Sequence, residues 1–139
     1  MAPNSRFAVA VHVLTLIALH KGERLSSREV AGSVATNPVV IRRLLAQLSR
    51  AGIVASAHGA LGGFTLARPA SEITLFDAYR AVEEGGFFAL PEKKNDKCPV
   101  ARRMKTILDG VFARVESKVL PELKRTTLAD VARRLPGRA

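Results

Sequence analysis

Between residues 25 and 68 the chain reads LSSREVAGSVATNPVVIRRLLAQLSRAGIVASAHGALGGFTLAR, and few folds accommodate that order of start and stop signals. Ser26 followed by Glu29 is a capping box: the hydroxyl accepts from the N–H three residues on, while the carboxylate reaches back. Leu25 and Val30 flank it at hydrophobic-staple positions, fixing how the chain enters a short helix that ends near Val34. After a three-residue turn, Asn37 is a second N-cap and Pro38 sits at the first helical position, where its missing N–H costs nothing. Ile41, Leu44, Leu45 and Leu48 then recur at three- and four-residue steps, so one face of this second helix is buried. Gly52 supplies its C-terminal stop. Val39, Val40, Arg42, Arg43 and Gln47 are left on the outer side.

Past Gly52 the period changes from helical to extended. Residues 53–55 and 64–66 are β-prone runs separated by His58-Gly59-Ala60-Leu61-Gly62-Gly63, and glycines at such a tip supply the positive φ of a tight turn. Two helices on a short turn, followed by a hairpin, predict a mainly α fold with a small β-hairpin, the winged helix-turn-helix. In that architecture the N-terminal half of the second helix faces base edges in the major groove. Arg42 and Arg43 can donate to guanine edges or to phosphates, and the sequence leaves open which does which. Ser27, Arg28 and Thr36 lie at helix starts suited to phosphate contact. His58 and Thr65 are placed to touch the backbone from the wing.

The charge distribution points the same way. The 139 residues carry a net charge of +10, and residues 1–68 hold eight basic side chains against Glu23 and Glu29. Such a basic half neutralises phosphates and steers association. With aromatics at 5% there are few platforms for stacking unpaired bases, which argues against a single-strand binder. No run approaches the roughly 18 apolar residues of a membrane span. Residues 7–19 are apolar, but no small-residue cleavage site follows, so they predict a buried first helix of a cytoplasmic protein, with His12 at the core boundary. Three histidines, His12, His20 and His58, all fall in the first half, away from Cys98, so a thiol enzyme lacks its base.

The second half reads as a linker at 69–71, a helix opened by Thr74 with Asp77 and running through about Glu84, a loop over 87–97, a long helix from Pro99 to about Val119, and a last helix opened near Thr127 with Asp130. Val100, Met104, Ile107, Leu108, Val111, Phe112, Val115 and Val119 form a stripe on the long helix wide enough for the first helix and a partner chain together. The organisation expected is a DNA-binding domain over 1–84, a sensor-like loop over 85–98, and a dimerisation helix with the final helix over 99–139.

Over nearly its whole length the chain resembles the bacterial winged-helix repressors of the BadM/Rrf-two type, the family of IscR, NsrR and CymR. The resemblance is carried by SRFAVAVHVLTLIA, NPVVIRRLLAQLSRAGIV, GALGGFTLAR, ITLFDAYRAVE and TLADV, and a lone CPV before the long helix places it nearest the YwnA-like branch. It implies a homodimer crossed through the long helix on a pseudo-palindromic double-stranded DNA operator. Its recognition-helix positions map onto Pro38, Val39, Val40, Arg42, Arg43 and Gln47, and its wing onto the segment from His58 to Gly63, which includes Gly59 and Gly62.

Cluster-sensing relatives carry three cysteines before the long helix, whereas this chain has only Cys98. One thiolate cannot hold an iron–sulfur cluster, whose usual set is four ligands, so no cofactor is expected. Two readings of Cys98 stand. Placed at a helix N-terminus beside Lys93, Lys94 and Lys97, it suits a thiolate that a small oxidant or electrophile attacks. Alternatively, it is a small capping residue. At the level of the whole chain the competing reading is a winged-helix adaptor that binds protein without specific DNA.

Overall fold

The computed structural model describes residues 5–57, 62–92 and 95–136. In chain order these form α1 (Ser5–Leu19), α2 (Ser27–Val34), α3 (Pro38–Arg50), β1 (Val54–Ala57), β2 (Gly63–Leu66), a single 3-10 turn (Ala70–Glu72), α4 (Leu75–Val82), α5 (Pro99–Arg125) and α6 (Leu128–Arg133). The two strands pair antiparallel, Val54 opposite Leu66 and Ala57 opposite Gly63. Mostly helical with one hairpin, the chain has the architecture that its capping signals predict.

Helix α1 is apolar on most sides because it is surrounded by α2, α4, α6 and β2. Its Ala10, Val13, Leu14 and Ile17 meet Val30, Ala31, Ile41, Leu44, Leu45 and Leu48 from α2 and α3, and Ile73, Ala78, Val82 and Leu128 close the core from the other side. Each large aliphatic side chain buried in this way stabilises the fold by about 1.5–3 kcal/mol relative to exposure. Thr15, buried among them, donates its hydroxyl to Val11 O at 2.7 Å. His12 corrects the expectation of a core-boundary residue: it is exposed, 3.2 Å from Ser33 Oγ on α2.

Two expected helix ends differ. Helix α4 stops at Val82, short of Glu84, as Glu83 turns extended and the Val82 carbonyl accepts from Arg6 Nη1 at 3.3 Å. Helix α5 runs six residues beyond Val119, through Pro121. Proline's φ is already helical and removes a single backbone bond. The last turn is held from outside, since Leu75 N–H donates to Thr126 O at 2.8 Å and Leu128 N–H to Ile73 O at 2.9 Å. That bridge between Thr74 and Thr127 brings the starts of α4 and α6 together, both opened by capping boxes.

The glycine-led loop after α4 is fastened by aromatic stacking. Phe87 lies flat on Tyr79 with centroids 4.6 Å apart, and Phe88 on Phe112 at 4.9 Å. Phe7 meets the other side of Tyr79 edge-on at 5.7 Å. Among the described residues the buried Tyr79 hydroxyl has no hydrogen-bond partner, and burial, then the charges of Glu116 and Glu83, push its pKa up.

Ser26 and Thr127 each turn a following carboxylate into part of the fold. The Ser26 N–H, then its hydroxyl, hold Glu29 below its ordinary 4.5, and Thr127 holds Asp130 below 3.8 in the same manner. Both carboxyls ionise more readily when folded, so their contribution is present above those ordinary values and is lost as pH falls through the folded ones. The urea midpoint should therefore drop between about pH 6 and about pH 3, and the drop should be shallower in a Glu29→Gln, Asp130→Asn variant.

Candidate nucleic-acid interface

The position of α3 follows from its two faces. Ile41, Leu44, Leu45 and Leu48 are buried against the core, which turns Val39, Arg42, Arg43, Ala46 and Arg50 to the opposite side. The helix starts where Asn37 Oδ1 accepts the Val39 N–H at 2.8 Å. Before it, Ala35 takes a left-handed conformation (φ 59°), and Thr36 N–H returns to Ala31 O at 3.1 Å, closing the turn between α2 and α3.

Arg42 and Arg43 are exposed, Pro38 is exposed, and Val39 keeps 47% of its surface. Val40 is half-buried on one flank. Gln47, on that same flank, is half-buried too and donates to Glu84 Oε1 at 3.4 Å, so it faces the end of α4 rather than the crest of α3. On α2, Arg28 is exposed at the first turn, while Ser27 and Thr36 are half-buried. Among the described residues the ion pairs join Arg68 to Asp77, Lys105 to Asp109, Arg125 to Glu122 and Arg133 to Asp130. None of them involves α3, and the acid beside its outer face is Glu84, which accepts from Gln47.

His58 and Gly59 lie outside the described residues, and the wing is described by its two strands and Gly62. Gly62 and Thr65 are half-buried there, with Thr65 opposite Ala55 in the ladder. The second strand is anchored by an extra bridge: Phe64 N–H donates to Leu25 O at 2.8 Å and Leu25 N–H to Phe64 O at 3.2 Å. The hydrophobic-staple residue thereby ties the wing to the start of α2. Gly63 is what lets this happen, since a Cβ there would stand 2.9 Å from Leu25 O and its φ is +149°.

Arg50 and Ala46, outside the positions expected from sequence, are also exposed on this face. Arg50 repeats Arg43 after seven residues, two full turns, and that spacing was the available signal. Arg6 joins them from α1, a proximity that only the tertiary fold creates.

A basic helix-turn-helix with a hairpin wing, presented on one side of a helical core, is the architecture of a DNA-binding regulator. The model of the Rrf2 family, described as iron-dependent transcriptional regulators, matches residues 4–134, and the chain belongs to that family. It is 41% identical over 133 residues to YwnA of Bacillus subtilis (strain 168), a candidate HTH-type transcriptional regulator, covering 95% of this chain and 98% of that protein. Among solved structures, one titled as a candidate DNA-binding protein is 37% identical, with a TM-score of 0.70 over 91% of this chain and 98% of that one. CymR of B. subtilis, the global cysteine regulator, shares the fold at a TM-score of 0.70 and 23% identity, covering 98% of this chain and 99% of its own.

The family description names iron, and the donor set here does not fit an iron–sulfur cluster. Cys98 is the single cysteine, half-buried at the start of α5. Glu92 and Asp96 nearby are exposed, and no group of three or more Cys, His, Asp or Glu side chains converges among the described residues. One thiolate supplies one of the four ligands a cluster takes.

Gly63→Ala should destabilise the protein by about 1–3 kcal/mol in urea melts, through the clash with the Leu25 backbone and the strained φ. An unchanged midpoint would mean that the wing base is looser than this geometry.

Proposed function

We propose that the protein is a dimeric, sequence-specific repressor that lays two copies of α3 into successive major grooves of an operator. The observation that carries the reading is the exposed, unpaired Arg42–Arg43 step on a helix whose other face is locked into the core. Pro38, Val39 and Val40 complete the surface near the helix start, with Gln47 on its flank. Ser27, Arg28 and Thr36 grip phosphates at the starts of α2 and α3, and His58, Gly59, Gly62 and Thr65 belong to the wing that follows the flanking backbone.

Pairing rests on α5. Its 27 residues include no buried one, and Val100, Met104, Ile107, Val111 and Val115 stand exposed at four-, three-, four- and four-residue steps. Leu108, Phe112 and Val119 are half-buried, and the helix packs on α4 rather than on α1 as expected from its sequence, with Phe112 stacked on Phe88, so the exposed stripe is left without a partner in the chain. A stripe of that spacing matches a copy of itself through knobs into holes, and a two-fold interface uses the same patch twice. Two reading helices related in this way engage half-sites ~34–36 Å apart. Repression follows if such an operator overlaps a promoter.

Cys98 is the proposed point of control. Its thiol makes no hydrogen bond to the first turn of α5, which removes support from the capping role, and it sits where the loop meets the pairing helix. A peroxide that oxidises it to the sulfenate introduces a polar group at that junction. Replacing Cys98→Ser should abolish peroxide-dependent release of DNA; release that persists in the variant removes the switch.

For the reading as a whole, duplex titrations at two salt concentrations decide. The repressor shows tight binding that weakens steeply with salt, whereas a protein-binding adaptor shows little affinity and little slope. Arg42→Ala or Arg43→Ala should cost ~1–3 kcal/mol on the preferred duplex where the arginine reads a base. Ile107→Asp should leave a folded monomer in sedimentation and lose operator binding. A dimer that survives the substitution places the interface elsewhere.

A further inference from the structure

A groove of about 410 Å³ runs beside α3, lined among others by Arg6, Arg43, Ala46, Gln47, Arg50 and Glu84. Three guanidinium groups from two helices therefore face one carboxylate. Arg6 is held by the Val82 carbonyl at the end of α4 through Nη1, which fixes the side chain while leaving further N–H donors. Arg43 and Arg50 stand two turns apart, about 10.5 Å along the axis, and Ala46 between them presents only a methyl group.

We infer that this groove is a phosphate-binding subsite for the duplex backbone, with Glu84 as a built-in competitor that limits its affinity. The inference rests on the DNA-binding reading and adds to it Arg50, Arg6 and Glu84. Guanidinium forks match phosphate oxygens in pairs, and three of them lining one groove favour a backbone oxyanion over a base edge. The position agrees: the N-terminal part of a reading helix meets bases, and the C-terminal end of such a helix meets the backbone. The methyl of Ala46 permits the close approach. Glu84 opposes it, because a phosphate among the arginines also meets a carboxylate of like charge. That carboxylate accepts from Gln47 at 3.4 Å, so the competitor is tied to the reading helix. Glu84 also begins the glycine-led segment whose Phe87 N–H donates to Glu116 on α5 at 3.3 Å, which links the acidic wall to the pairing helix.

The test uses the full chain and two duplexes, the preferred operator and a shuffled one of equal length, titrated by fluorescence anisotropy across a salt series. Arg50→Gln should weaken both duplexes alike and reduce the salt slope by about one. The advantage of wild type over Arg50→Gln should then shrink about 3-fold between about 50 and about 200 mM salt. Glu84→Gln keeps an acceptor for Gln47 and should tighten both duplexes together. Arg50 is exposed, so its replacement is expected to fold, and melting curves check this. A variant pair that matches wild type in affinity and slope overturns the subsite, as does an Arg50→Gln protein that loses preference for the operator, since that is base reading. Wild type that binds neither duplex overturns the DNA-binding reading itself, an outcome distinct from both.

Discussion

The burial of one side of α3 is the constraint on which the remaining structure depends. Ile41, Leu44, Leu45 and Leu48 lose nearly all their surface to the core, and an α-helix with one face fixed has no freedom over the other. A rotation of one residue, about 100°, would expose two or more of these side chains at about 1.5–3 kcal/mol each. Arg42, Arg43 and Arg50 therefore project because leucines elsewhere on the helix cannot. The outer face needs no stabilising partners of its own and is free to carry chemistry, which is why positive charge can gather there with only Glu84 beside it.

From that helix the organisation spreads outward through backbone hydrogen bonds. Leu25 is the pivot: its side chain is buried at the entry to α2, and its backbone pairs with Phe64 of the wing. Wing and helix pair are thus fixed to each other through the second strand of the hairpin. On the opposite side, α6 is returned to α1 by the bridge at Thr74 and Thr127, which leaves the long α5 spanning the molecule with an apolar edge uncovered. Aromatic stacking of Phe87 on Tyr79 and Phe88 on Phe112 joins the segment before α5 to both parts.

How legible this was in the sequence depended on the range of the interaction concerned. Ser26 with Glu29, Asn37 with Pro38, Thr74 with Asp77 and Thr127 with Asp130 act within four residues, and the structure starts its helices where they stand. Stops were harder. The long helix, expected to end near Val119, runs through Pro121 to Arg125, and its cap Thr126 is held by Leu75, about fifty residues away. The reach of Gln47 toward Glu84 and the arrival of Arg6 beside Arg43 and Arg50 are likewise products of tertiary packing, with no local signature. Arg50 alone among the missed residues had a trace, the seven-residue repeat of Arg43.

Two copies of one surface are to meet one duplex, and the most direct measurement of this is selection of bound DNA from a random pool by the protein. The geometry predicts enrichment of an inverted repeat whose half-sites are centred about 34–36 Å apart, one helical turn of DNA. Enrichment of a single asymmetric element, or no enrichment over the input pool, would contradict it.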